Sequence, residues 1–173
     1  MRDFRNIYYL KDGNVIQCQA FNAINGLNLF KTLEEFNPLL SGTIPININL
    51  SNSDLDIVCY WKDKSEFIQT LDSFSHLADY QLIEKMSRGK ETVICRFSYG
   101  GFLFEIFGQN RPSQEQEAFR HMIIEYLILE REGEDFRKKI IELKIKGYKT
   151  EPAFAKLLGL KGNSYEAILN YKL

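Results

Sequence analysis

Asp54-Leu55-Asp56 sets two carboxylates one residue apart within an otherwise apolar stretch. In a strand, residues i and i+2 point to the same face, so Asp54 and Asp56 aim together while Leu55 and Ile57 face the core. Like charges held that close repel, which raises one pKa or calls for a cation between them. A hard divalent ion such as Mg²⁺, bound through oxygen, resolves the repulsion. Gly42-Thr43, separated from Asp54 by ten residues, supplies a small turn where a phosphate can approach the backbone.

Glu105 is the third acid. It lies between Phe104 and Ile106, a setting in which an unpaired carboxylate is expensive. If its strand runs beside the one carrying Asp56, the three carboxylates form a trianionic cage for one or two Mg²⁺ ions. Water and triphosphate oxygens then fill the remaining positions. Plainer readings stand beside this one. Glu105 can pair with Arg96 or Lys90 in a structural ion pair, and Ser53-Asp54 can form an ordinary solvent-facing turn. Arg96 can neutralise a phosphate or serve that ion pair. His121, beside Arg120, is expected at the surface or in a cap-related role rather than in catalysis. Arg111, Lys146 and Lys149 form either a basic rim for a nucleotide or acceptor, or solvated charges.

Apolar spacing gives the elements that must hold these residues. From Val15 to Phe36 apolar residues recur every three positions, which is helical spacing. A strict three-residue step drifts around a 3.6-residue helix, so a bend is expected near Gly26; a hairpin through 11–14 is the competing reading. Pro38 ends that helix. A short buried strand follows at 39–41, a second strand at 55–61, and an amphipathic helix carries Phe67, Leu71, Phe74 and Leu77. Strands at 80–86 and 92–99 flank a hairpin turn at Arg88-Gly89-Lys90, and Gly100-Gly101 turns the chain into a strand at 102–107.

After Pro112 the pattern is helical only. Ser113 and Gln116 read as a capping box for a helix with the stripe Phe119, Met122, Ile123, Tyr126 and Leu127, ending near Gly133. A second helix spans 134–146, a third opens at Thr150-Glu151-Pro152 and closes at Gly159, and Ser164 caps a short last one. Phe67, Phe74, Phe119 and Tyr126 are expected in the core. The fold class is therefore α+β, a mixed and largely antiparallel sheet flanked by helices. Residues 1–112 form an N-terminal helix plus the α/β core, and 113–173 a helical extension packed on it.

With 173 residues, 45% of them hydrophobic and 13% aromatic, the chain can bury a substantial core, which excludes disorder. Its net charge of −1 argues against long nucleic acids and membrane surfaces, since both lean on excess positive charge. Cys18, Cys59 and Cys95 are far apart, and with two histidines they make no zinc pattern. They read as free thiols in a reducing compartment. The first apolar run is too short for a signal-peptide core and no stretch is long enough to span a bilayer, so a cytoplasmic location is expected.

Taken in order, Gly42-Thr43, Ser53 to Ile57 and Phe104-Glu105-Ile106 resemble the signature of the DNA polymerase β-like nucleotidyltransferase superfamily. That signature is Gly with Gly or Ser, a short spacer, an acid–apolar–acid strand, and a third acid between apolar residues. The chain also resembles an uncharacterised bacterial family of short proteins in that superfamily. The marks of that second likeness are Gly42 to Pro45, Ser53 to Ile57 and Phe104 to Gln109, with Arg120-His121-Met122 and 149–154 in a helical tail. One departure is Thr43, where Ser or Gly is more usual. The resemblance implies a nucleotidyltransferase-like fold and Mg²⁺-dependent transfer of a nucleoside monophosphate from a nucleoside triphosphate (NTP), with pyrophosphate released. The acceptor would be a small molecule or a protein. Asp54, Asp56 and Glu105 would be the metal-binding and catalytic residues, and Gly42, Thr43, Ser53 and Arg96 the nucleotide-binding set. A non-catalytic protein of the same fold, binding a nucleotide or a partner protein, is the alternative.

Overall fold

The computed structural model describes residues 2–173, and Asn14 opens its first helix. The Asn14 side chain accepts from the Gln17 amide at 2.9 Å while Gln17 Oε1 accepts from the Asn14 amide at 3.1 Å, a reciprocal cap that satisfies two orphan donors. Helix α1 (Val15–Gly26) follows, so the hairpin alternative at 11–14 is excluded. The expected break comes where α1 ends: Asn28 adopts a left-handed conformation and starts the one-turn α2 (Leu29–Thr32). After a 3₁₀ turn at Glu34–Phe36 the chain enters β1 (Leu39–Ser41) and, beyond a long loop, β2 (Leu55–Tyr60). Asp63 caps α3 (Lys64–Leu71) by accepting from the amides of Ser65 at 2.7 Å and Glu66 at 3.2 Å.

Strands β3 (Ala78–Ser87), β4 (Lys90–Tyr99) and β5 (Phe102–Gln109) form a meander. The sheet order is β1-β2-β5-β4-β3, with β2 parallel to β5 and the other pairs antiparallel. This is the mixed, largely antiparallel sheet expected of the sequence.

Alternation along β2 divides its side chains between two cores. Leu55, Ile57 and Cys59 join Val93, Cys95, Phe97, Phe104 and Ile106 against Ala20, Ile24, Leu29, Phe67 and Leu71 of α1–α3 and Leu33 just after α2. Phe97 stacks between Phe74 and Phe104, with centroids 5.1 Å away on each side. Gly108 is needed where β5 meets α3, because a Cβ there would lie 2.1 Å from a ring carbon of the fully buried Phe67.

On the opposite face, Leu39 and Val58 pack with Phe119, Met122, Ile140 and Phe154. These belong to α4 (Glu117–Glu132), α5 (Glu134–Ile145) and α6 (Thr150–Leu157), and α7 (Ser164–Leu169) adds Ile168. Asp56 shares its face with Val58, so it looks toward these C-terminal helices.

Three local expectations are corrected. Ser113 and Gln116 make no capping box: Ser113 Oγ donates to the Asn37 carbonyl at 2.6 Å, and Gln116 Nε2 donates to the Cys59 carbonyl at 2.7 Å and the Arg111 carbonyl at 3.0 Å. Tertiary partners outcompete the local cap. The last helix is capped by Asn163, which accepts from the Tyr165 and Glu166 amides, and Ser164 is its first residue. His121 is not at the surface; it is 5% exposed, inside α4. Among the described residues no helix is long and apolar enough to cross a membrane.

Candidate functional site

Ser41 at the end of β1 is the cross-strand partner of Asp56, which brings Gly42 over the Asp56 side chain. Gly42 has φ +80°, and a Cβ on it would stand 2.3 Å from Asp56 Oδ2. Glycine is required twice here, for the backbone conformation and for the carboxylate's space. The segment from Thr43 to Asp54 has no strand of its own, so side chains satisfy its carbonyls. Gln17 donates to Ile44 at 2.9 Å and Pro45 at 3.2 Å, Arg2 to Pro45 at 3.1 Å, Arg137 to Ile46, and Lys144 to Ile48 at 2.7 Å. Ser53 Oγ accepts from the Leu50 amide at 2.9 Å and meets Thr43 Oγ1 at 3.2 Å. The Thr43 and Ser53 hydroxyls thus meet each other and close the loop.

The strand pairing puts Asp56 directly beside Glu105 across the parallel β2–β5 pair, and Glu105 directly beside Arg96 across β4–β5. Arg96 donates to Glu105 Oε2 from Nε at 2.7 Å and from Nη2 at 2.5 Å. The ion-pair reading of Glu105 is therefore the geometry observed. Among the described residues no three His, Cys, Asp or Glu side chains converge closely enough to hold one ion. The electrostatic coupling of the acids is nonetheless plain. Burial first, then the charges of Asp54 and Glu105, push the Asp56 carboxyl up to about 7 against a smaller opposing pull from Lys144. Asp54 is raised as well, chiefly by burial.

Asp56 and Glu105 face a cavity of about 400 Å³ that also takes in Ser41, Gly42 and Thr43. Asp54, Ser53 and Arg96 are not part of its wall. Arg88 in the β3–β4 turn forms an ion pair with Glu117 in the first turn of α4, and both line the cavity with Lys90 and Arg111. Lys146 and Lys149 stay outside it.

Helices supply a further part of the wall, from His121, Met122 and Glu125 of α4 and Thr150 and Glu151 of α6. Burial, followed by the charge of Glu151, pushes Glu125 up to about 8, with Lys144 pulling the other way. Burial in turn brings Lys144 down to about 8, opposed by Glu125, Glu151, Asp54 and Asp56. Sequence reasoning missed Ser41, Glu125 and Glu151. Glu125 had a readable signal, because it falls in the same buried helical stripe as Met122, Tyr126 and Leu129.

A family model described as a domain of unknown function (DUF4269) matches residues 22–171. The chain belongs to this family. No curated protein matches it. Several solved structures resemble this DUF4269 chain in fold. Cid1, in a structure concerned with its RNA terminal uridylyl transferase activity, aligns with a TM-score of 0.51 at 10% identity, over 79% of this chain and 40% of its own. A form of the Cid1 poly(U) polymerase bound to MgATP aligns at 0.53 and 12% identity, over 87% and 47%. The polymerase core of TRAMP, an RNA surveillance complex, aligns at 0.52 and 11%, over 94% and 52%. The DUF4269 chain thus spans about half the length of these proteins or less, and it shares with them a nucleotidyltransferase-like fold.

Proposed function

We propose that this DUF4269 protein is a Mg²⁺-dependent nucleotidyltransferase that moves a nucleoside monophosphate from an NTP to a small-molecule or protein acceptor. The observation that carries the reading is the register of β2 and β5, which sets Asp56 beside Glu105 on the floor of a cavity that Gly42 leaves open over Asp56.

The donors fit the metal. Mg²⁺ is commonly held by one or two carboxylates, with water and substrate phosphates completing an octahedron; the oxygen-only pair Asp54 and Asp56 meets that need without a closed cage. Bound there, Mg²⁺ would neutralise the triphosphate and the charge that develops at the α-phosphorus. Gly42 and Thr43 present backbone to the β- and γ-phosphates, and Ser53 fixes that loop through Thr43. Glu105 either completes the metal site or takes the proton from the acceptor hydroxyl, with Arg96 holding its Oε2 and leaving Oε1 outside the pair. Residues 113–173 act as an extension of the core, because their helices supply the second wall of the cavity.

The similar structures come from proteins described as acting on RNA. A net charge of −1 gives this chain little of the electrostatic attraction that long polynucleotides need, which favours a small acceptor.

The Arg96–Glu105 ion pair favours one second reading, a nucleotide-binding protein of the same fold without turnover. A screen of the four NTPs with Mg²⁺ separates the two. Thermal stabilisation with pyrophosphate release supports transfer, stabilisation without release across an acceptor panel supports binding alone, and no response to any NTP rejects both.

A further inference from the structure

Glu125 is 4% exposed, lines the cavity, and its Oε1 is buried without a hydrogen-bond partner. One turn earlier on the same face of α4, His121 Nε2 lies 2.9 Å from the Tyr165 carbonyl oxygen. A carbonyl only accepts, so Nε2 carries the hydrogen, and whenever the ring is neutral Nδ1 is the acceptor. Nδ1 stands 3.8 Å from Glu151 Oε1. With Glu125 ionised, as a bound cation favours, its Oε1, Glu151 Oε1 and the Nδ1 of a neutral His121 share one stretch of wall, and among the described residues no hydrogen bond is donated to any of them. The cation that attracts both glutamates, Lys144, directs its Nζ to the Ile48 carbonyl at 2.7 Å.

A metal ion is a poor occupant, because metal–oxygen bonds are about 2.0–2.6 Å and no three of these side chains converge that tightly among the described residues. An ammonium group reaches further, with N–H···O separations of about 2.7–2.9 Å, and its three donors match three acceptors. We propose that His121, Glu125 and Glu151 form a subsite for a primary ammonium group, which holds the amine of a small acceptor molecule. That it serves an acceptor rests on the nucleotidyl-transfer reading; that it binds an amine does not. Glu125 lies eight residues beyond Glu117, about 12 Å along the helix axis. The acidic wall is thus set apart from the Arg88, Lys90 and Arg111 side chains that suit phosphates.

The test is calorimetric titration of the full chain, without nucleotide or metal, using ethanolamine, putrescine and glucosamine. Choline and glucose serve as partners that lack the ammonium N–H groups. Primary amines are expected to bind, with the N–H-free partners weaker by roughly tenfold or more, the loss of at least one charge-assisted hydrogen bond. Glu125→Gln and Glu151→Gln should each weaken the amines to the same degree while keeping the far-UV circular dichroism of the parent. The proposal is overturned if no primary amine binds, if choline binds as well as ethanolamine, or if Glu125→Gln binds amines like the parent. Titrating Mg²⁺ with each of the four NTPs into the same samples keeps the two readings apart. Amine binding without binding of any NTP upholds the subsite and rejects transfer; NTP binding without amine binding rejects the subsite and leaves transfer to be decided by pyrophosphate release.

Discussion

Gly42→Ala adds one carbon where the structure has least room for it. Two effects separate. A φ of +80° suits glycine, and an L-residue there loses about 1–2 kcal/mol. The new Cβ also falls 2.3 Å from Asp56 Oδ2 and 3.2 Å from its Cγ, so the carboxylate must leave its rotamer at about 0.5–1.5 kcal/mol. The sum, about 1.5–3.5 kcal/mol, lowers Tm by about 3–14 °C for a chain of this size. Thermal unfolding followed by circular dichroism reads the sum, and a double-mutant cycle with Asp56→Ala reads the second part alone. Without the Asp56 carboxylate the glycine substitution should cost only the backbone share, leaving a coupling of about 1 kcal/mol. In the wild-type background the displaced carboxylate should also lose the Mg·NTP response. Equal costs of Gly42→Ala with and without Asp56 would refute the contact.

Glu125→Gln gives a pH signature. The folded protein holds Glu125 up at about 8 against an ordinary 4.5, so the native state binds the extra proton and loses stability as pH rises between those values. The variant should match the parent near pH 4.5 and exceed it by on the order of 2–4 kcal/mol at pH 8 and above, read from denaturant unfolding at both pH values. Gly108→Ala should overpack the β5–α3 contact against Phe67 and lower stability by about 1–3 kcal/mol, with an unchanged denaturant m-value. Phe97→Ala, which removes the middle ring of the Phe74–Phe97–Phe104 stack, should cost about 3–5 kcal/mol in the same assay.

Much of the sheet was legible because its signals are local. Gly100-Gly101 and Arg88-Gly89-Lys90 mark turns, and the alternation around Asp56 and Glu105 assigns both to one face whichever way the strands pair. The break after α1 followed from the drift of a three-residue period. The wall opposite the acids was not legible. His121 owes its burial partly to Tyr165, 44 residues on, and Gln116 owes its role to Cys59, 57 residues back. The loop before Asp54 is held by Arg137 and Lys144, more than 90 residues away in sequence. No periodicity or cap reports such pairings. The Arg96–Glu105 pair lies between these cases, since both partners were named from the sequence and only the register chose between them.

The most direct measurement is a crystal structure of the full chain with Mn²⁺ and a non-hydrolysable NTP analogue, with the metal located by anomalous scattering. The expected result is a peak within about 2.3 Å of an Asp56 oxygen, with Asp54 as second ligand and the β- and γ-phosphates against Gly42-Thr43. A nucleotide seated elsewhere, or a metal with no bond to Asp54 or Asp56, would contradict the assignment.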